Sequence, residues 1–217
     1  MSNSQLVVEI WSDIICPWCG LGLHRLEKAI AQFEQAGGQV SLVHRSFQLD
    51  PSFPKDEVVS TTQLLTRKYG MSEAQVQEST AQIEGLAEKD GLSPYRVGNN
   101  SVGNTQKAHE LAAFASAHGR EDAVWKKLYS VYFGEQKSIF MLDALVEIGM
   151  SLGFSAEEVR DVLTSGRYAE QVTREGREAS MLGAKGVPFV VINRKFGVSG
   201  AQSTETFLRA LQQAATA

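Results

Sequence analysis

Val7-Val8-Glu9-Ile10-Trp11-Ser12-Asp13-Ile14-Ile15-Cys16-Pro17-Trp18-Cys19-Gly20 places a β-branched, aromatic run just before a loop and a Cys-Pro-Trp-Cys turn. The run reads as a short strand. The turn reads as a helix start. Pro17 suits a first helical position because its missing N–H would have had no partner there, and Leu23, Leu26, Ile30 and Phe33 then recur at three-to-four spacing. Gly37-Gly38 ends that helix, and Val40 to Phe47 reads as a second strand. Strand, helix and strand in so short a span make a βαβ unit with a right-handed crossover, so the two strands are expected to be parallel.

Working outward, the pattern changes after Asp50-Pro51-Ser52-Phe53-Pro54. From Thr61 to Ser165 the periodicity is helical, and no strand is expected. Ser72 with Gln75, and Ser155 with Glu158, have capping-box spacing, while Gly91-Leu92-Ser93-Pro94 and the stretch Gly98 to Asn104 read as loops between helices. Phe114, Trp125, Tyr129, Tyr132 and Phe133 fall at helical spacings and read as the core of this block. Strand character returns at Phe189. A helix over Tyr168 to Leu182, a strand within Gly186-Val187-Pro188-Phe189-Val190-Val191-Ile192, a turn at Asn193-Arg194-Lys195, a strand at Phe196 to Ser199 and a helix from Ser203 give an αββα ending.

Composition bounds the function. The 217 residues are 43% hydrophobic and 21% charged, close to globular averages, so a sizeable core can be buried. Lys plus Arg number 21 against 25 Asp plus Glu, with no basic run to neutralise a string of phosphates, so nucleic acid is not expected as a partner. The longest apolar run, Val187 to Ile192, contains Pro188 and falls far short of the roughly 20 residues a membrane span needs. No basic residue precedes Arg25, and Glu9 and Asp13 interrupt the only early apolar stretch, so no secretory signal is read and a cytoplasmic location is expected.

The chain has 2 cysteines, and they sit three apart. A staple closing so short a loop removes only about 2 kcal/mol of unfolded-chain entropy, against about 4.7 kcal/mol for a loop of about 100 residues, so chemistry explains the pair better than stability does. At a strand-to-helix junction the first sulfur meets free helical N–H groups and the positive end of the helix dipole, which makes Cys16 the expected nucleophile. Cys19, one helical turn on, is placed to attack a mixed disulfide and expel the bound thiol, and is the expected resolving thiol. The dipole contributes at most about 2 kcal/mol, or roughly 1.5 pKa units, so further thiolate stabilisation has to come from direct hydrogen bonds. The motif leaves the direction of electron flow open. Half of a zinc site is the competing reading. It needs two more ligands from His24, His44, His109 and His118, which are scattered, so no metal is expected.

Taken together, the βαβ unit with Cys16-Pro17-Trp18-Cys19, the helical insertion, and an αββα ending with Gly186-Val187-Pro188 before a strand resemble the thioredoxin-fold DsbA family, and within it the FrnE-like branch. The likeness extends to Asn104-Thr105 with Ala108-His109 and to Ser199-Gly200-Ala201-Gln202. It implies an α/β, thioredoxin-like fold with an inserted all-helical domain: residues 1–50 and 168–217 forming the thioredoxin-like part, 51–167 the insertion, and the dithiol at the cleft where the parts meet. It implies thiol–disulfide oxidoreductase or isomerase activity on protein or small-molecule disulfides. The redox group is then the Cys16–Cys19 disulfide itself, with glutathione as a candidate co-substrate and no other cofactor. Pro188 corresponds to the family's cis-proline, and Val187 offers backbone to a substrate. Trp18 is a candidate substrate contact, with packing on the insertion as the competing reading. Asn104 and His109 are candidates to line the cleft, although a lone histidine on an apolar helix face is more often a packing residue.

Members of the branch commonly carry Tyr-Ile after the second cysteine. Gly20-Leu21 here loosens the first turn or leaves room for a larger substrate. Glu9, in a strand expected to be apolar on both faces, is a candidate to move the resolving thiol's proton, as a buried carboxylate does in related folds; an edge-facing, solvated glutamate is the alternative. Two other functional classes stay open. The fold and insertion are also similar to 2-hydroxychromene-2-carboxylate isomerases and kappa-class glutathione transferases, whose site usually carries serine in place of Cys16 and has no use for Cys19. The other is a non-catalytic or zinc-binding module.

Overall fold

A computed structural model of the chain describes residues 5–217. The first four residues of the 1–50 segment lie outside it. The chain divides into two compact units: one joins the stretch ending at Leu49 to Thr173–Ala217, and the other is Asp50–Val172.

The first unit is built on a four-stranded sheet. Strands β1 (Leu6–Ser12), β2 (Val40–Ser46), β5 (Phe189–Ile192) and β6 (Phe196–Ser199) lie in the order β2-β1-β5-β6. β1 and β2 are parallel, in the register Glu9 to Val43 and Trp11 to Arg45, while β5 runs antiparallel to β1 with Glu9 opposite Val191. The parallel pair follows from the crossover helix α1 (Pro17–Gln35), which Gly37 terminates at φ +91°. Side chains alternate along β1. Trp11 packs on one face with Phe189, Val191 and Ala179 of α8 (Ala169–Met181), with Phe47, Leu182 and Val187 around them. Val8 and Ile10, both fully buried, project to the other face, where α1 and the last helix α9 (Thr204–Ala215) pack together. Burying a Trp or Ile side chain in this way contributes about 1.5–3 kcal/mol each.

The second unit holds α2 (Thr61–Tyr69), α3 (Glu73–Lys89), α4 (Gln106–Ala117), α5 (Glu121–Tyr129), a π-helical turn (Ser130–Gly134), α6 (Leu142–Ser151) and α7 (Ala156–Ser165). Its core contains the aromatic set read from the sequence: Phe114, Trp125, Tyr129, Tyr132 and Phe133 are all buried. Both expected capping boxes form, on Ser72 with Gln75 and Ser155 with Glu158, and a third joins Ser60 to Gln63. The expectation that Thr61 to Ser165 contains no strand needs one correction. β4 (Ser101–Gly103) pairs antiparallel with β3 (Val58–Ser60) in a ribbon of three residues a side. Neither strand is long enough to show a period of two, and each exists because the other satisfies its backbone groups.

Among the described residues, no helix is long and apolar enough to cross a membrane.

Candidate active site

Cys16 is the N-cap of α1, with extended backbone at φ −79° and ψ 113°, and Pro17 follows inside the first turn. The loop before it is closed by the Cys16 amide, which donates to the Asp13 carbonyl at 3.1 Å, and the Cys19 amide returns to the Cys16 carbonyl at 2.9 Å. Both cysteines are free thiols and both are buried, Cys16 at 5% exposure and Cys19 at 0%. The Cys16 sulfur makes no cap bond to the helix amides. It points instead at the Val187 carbonyl oxygen, 3.7 Å away. A protonated thiol is a weak donor and finds an acceptor there. The Val187–Pro188 bond is cis, and Pro188 is buried.

Cys19 lies behind Cys16. Burial pushes its thiol well above the ordinary cysteine range; the hydrogen bond and charge of Cys16 push the same way, a backbone bond from Asp13 opposes them, and the Asp13 carboxylate adds a further upward push. Asp13 is itself fully buried, and its Oδ2 accepts the Leu49 amide at 2.7 Å. This acid was not singled out from sequence. The signal available was an acidic residue set against Ile14-Ile15-Cys16, an apolar context that buries it.

Glu9 is not solvated. It is 2% exposed, on the sheet face that also carries Trp11, and its Oε1 accepts from Arg45 Nε at 3.1 Å and Nη2 at 2.9 Å. Arg194, from the β5–β6 turn, pairs with both Glu9 oxygens and with Glu178, while its guanidinium lies 5.8 Å from the Trp11 ring. Arg45 also reaches Glu175, whose Oε2 accepts the Ser46 amide at 2.7 Å. Two arginines thus tie β1, β2 and the β5–β6 turn to α8.

The remaining candidates divide between the units. Pro17 and Trp18 stand between the two cysteines in the first turn of α1, with Trp18 42% exposed, while the Val187 carbonyl faces the Cys16 sulfur and Pro188 follows it across the cis bond. Gly20 and Leu21 lie in the buried face of α1, so this turn is packed. Asn104 and His109 stand in the second unit, engaged there. Asn104 Nδ2 donates to the Phe53 carbonyl at 2.6 Å and its Oδ1 accepts the Gln106 amide at 2.9 Å, while the His109 ring meets Trp125 edge-on at 5.7 Å between centroids. His118 caps the end of α4, its Nδ1 2.8 Å from the Phe114 carbonyl. Among the described residues, no three His, Cys, Asp or Glu side chains gather as a metal would require.

A βαβ unit with one thiol at the N-cap of its helix and a second in the first turn, and the carbonyl of the residue before a cis-proline facing the first of them, defines a thioredoxin-type fold carrying a dithiol. The chain belongs to the DSBA-like thioredoxin domain family, whose profile matches residues 7–212. It is similar to the probable DsbA oxidoreductase of Streptomyces coelicolor, with 44% identity and a TM-score of 0.91 over 96% of this chain and 89% of that one. A 2-hydroxychromene-2-carboxylate isomerase shares the fold at 14% identity and a TM-score of 0.70, over 95% of each chain. The cytosolic disulfide reductase DsbM of Pseudomonas aeruginosa, solved with glutathione, shares it at 16% identity and 0.59, over 97% of this chain and 96% of that one. No curated protein matches the chain.

Proposed function

We propose that the chain catalyses thiol–disulfide exchange through Cys16 and Cys19 in the cytoplasm, on protein or small-molecule disulfides, as a member of the FrnE-like branch of its family. Cys16, as thiolate, attacks one sulfur of the substrate disulfide; a Cys16–substrate disulfide forms and the other substrate sulfur leaves as a thiolate that takes up a proton. Cys19 then gives up its proton and attacks the Cys16 sulfur. The substrate's second thiol departs, leaving an oxidised Cys16–Cys19 pair. Two electrons have passed from protein to substrate, and the reverse sequence oxidises a dithiol. Return from a mixed disulfide while Cys19 waits gives isomerisation. Glutathione is the co-substrate class proposed to reset the pair.

The observation that carries this reading is the pairing of a Cys16 sulfur beside the Val187 carbonyl with a deeply buried Cys19 whose thiol is kept protonated. Such a resolving thiol survives unreacted until a mixed disulfide forms next to it. The glutathione-dependent isomerase reading leaves Cys19 without a task.

The test is equilibration in a glutathione redox series, with free thiols trapped to give the reduction potential. A value near or above about −200 mV marks an oxidant or isomerase, and one below about −250 mV a reductase. Failure to form a Cys16–Cys19 disulfide, or full activity in a Cys19→Ser variant, would overturn the dithiol mechanism and favour the isomerase class.

A further inference from the structure

The segment that holds the Val187 carbonyl in front of Cys16 is itself braced from behind, by residues outside the Cys-Pro-Trp-Cys motif. Gly22, one turn into α1 and buried, is the point of closest approach. A Cβ added there would lie 2.8 Å from Pro188 Cγ and 3.3 Å from both the Cα and the Cβ of Ala201. The first contact is with a rigid ring and the second with backbone, so neither can swing aside as the end of a long side chain could. One turn further along α1, Arg25 Nη1 donates to the Ala201 carbonyl at 2.7 Å. The neighbouring Gly200, at φ +80°, donates its amide to the Pro188 carbonyl at 2.8 Å, and Gln202 Nε2 closes the turn on the Ser199 carbonyl at 2.8 Å. A continuous path therefore runs from α1 through Ala201, Gly200 and Pro188 to Val187, and returns to α1 at the Cys16 sulfur. It also gives Ser199-Gly200-Ala201-Gln202 a physical task that the sequence alone did not supply.

We propose that Gly22 and Arg25 are positioning residues for disulfide exchange. Gly22 lets α1 and the Pro188 ring approach, Arg25 anchors Ala201, and together they set where the Val187 backbone presents a substrate to Cys16. The inference rests on the redox reading above. It separates two properties of Cys16. Reaction with a small alkylating reagent needs only an accessible thiolate. Exchange with a peptide disulfide needs three sulfurs in line, which the Val187–Pro188 segment has to align.

The experiment uses the full chain, reduced, with two probes: a short glutathionylated peptide for exchange and iodoacetamide for Cys16 alkylation. Gly22→Ala is expected to lower the second-order exchange rate by about tenfold to a hundredfold, the scale set by a displacement of about 1 Å at a reacting centre. Its iodoacetamide rate stays at the wild-type value. Arg25→Met shifts exchange in the same direction, and Arg25→Lys, which keeps a donor for the Ala201 carbonyl, restores it. Adding Ala201→Gly to Gly22→Ala recovers part of the loss by removing one of the colliding atoms. Wild-type exchange in Gly22→Ala, or a parallel fall in exchange and alkylation, overturns the proposal. If Gly22→Ala does not fold, Arg25→Met decides, and an unchanged exchange rate there is equally fatal. If the wild-type protein shows no exchange at all, the redox reading fails first and takes this inference with it.

Discussion

The Asp13 carboxylate and the Leu49 amide are joined by a 2.7 Å hydrogen bond inside the first unit, on the loop that leads into the dithiol. That bond fixes the carboxylate close enough to Cys19 for its charge to raise the Cys19 thiol. Asp13→Asn keeps an acceptor for Leu49 and removes the charge. In a Cys16→Ser background, where Cys19 is the only titrating thiol, Cys19 is expected to ionise at lower pH once the Asp13→Asn change is added. It stays above the ordinary range with or without that change, because burial is the largest cause. Thiol absorbance against pH measures the shift, and coincident curves would show that Asp13 does not act on Cys19.

Glu9 belongs with Arg45 and Arg194, and its contacts predict a stability phenotype. Glu9→Gln leaves two guanidinium groups facing a neutral amide, and charge-assisted hydrogen bonds of this kind contribute about 1.5–3 kcal/mol. A loss of that order in urea unfolding is expected, with the pH profile of Cys16 alkylation unchanged. A displaced profile at unchanged stability would return Glu9 to a proton-transfer role.

Glu110, buried on α4, has its carboxyl raised above the ordinary glutamate range, first by burial, against smaller opposing effects from Gln106 and Lys107. The folded protein therefore holds this proton to higher pH than the unfolded chain does. The resulting stability is complete below the unfolded-state value and declines as pH rises through the folded one. Glu110→Gln, which can still accept from Gln106, removes the decline. The unfolding midpoint of the variant should gain on wild type as pH goes from about 4, near the ordinary glutamate value, toward neutrality. A constant difference across that range would contradict the assignment.

Ser155 caps α7 in a reciprocal pair, its Oγ accepting the Glu158 amide at 3.2 Å while Glu158 Oε2 accepts the Ser155 amide at 3.0 Å. Ser155→Ala is expected to cost about 1 kcal/mol. In a protein of this size that corresponds to about 2–4 °C in thermal midpoint. Activity should be untouched, since the cap lies in the second unit.

What sequence disclosed and what it hid follow from how far each feature depends on distant partners. β1, α1, β2 and the αββα ending were legible because apolar period, Pro17 and Gly37 act within a few residues of where they stand. The capping boxes at Ser72 and Ser155 were legible for the same reason. The β3–β4 ribbon was hidden, since Val58 finds Gly103 only across the length of α2 and α3. The π-helical turn at Ser130–Gly134 shares its apolar spacing with an ordinary helix. The cis bond at Ser93–Pro94 had no local mark beyond the turn already read there. Within the site, Cys16, Cys19 and Pro188 stood out as motif residues. The partners of Glu9 did not, because Arg194 is 185 residues away and arrives only when β5 and β6 pair. Gly22 read as one more helical residue, since a close approach leaves no periodicity.

The sheet that carries the dithiol draws its strands from both ends of the chain, and that imposes an order of events on the ribosome. Cys16 and Val187 are separated by 171 residues, so at about 5–20 residues per second the two thiols emerge on the order of ten to thirty seconds before the carbonyl that will face them. During that interval β1, α1 and β2 have no β5 to pair with, while Asp50–Val172 can already begin to fold as it leaves the tunnel. The redox centre thus cannot be completed until Val187 has been made, long after its two cysteines.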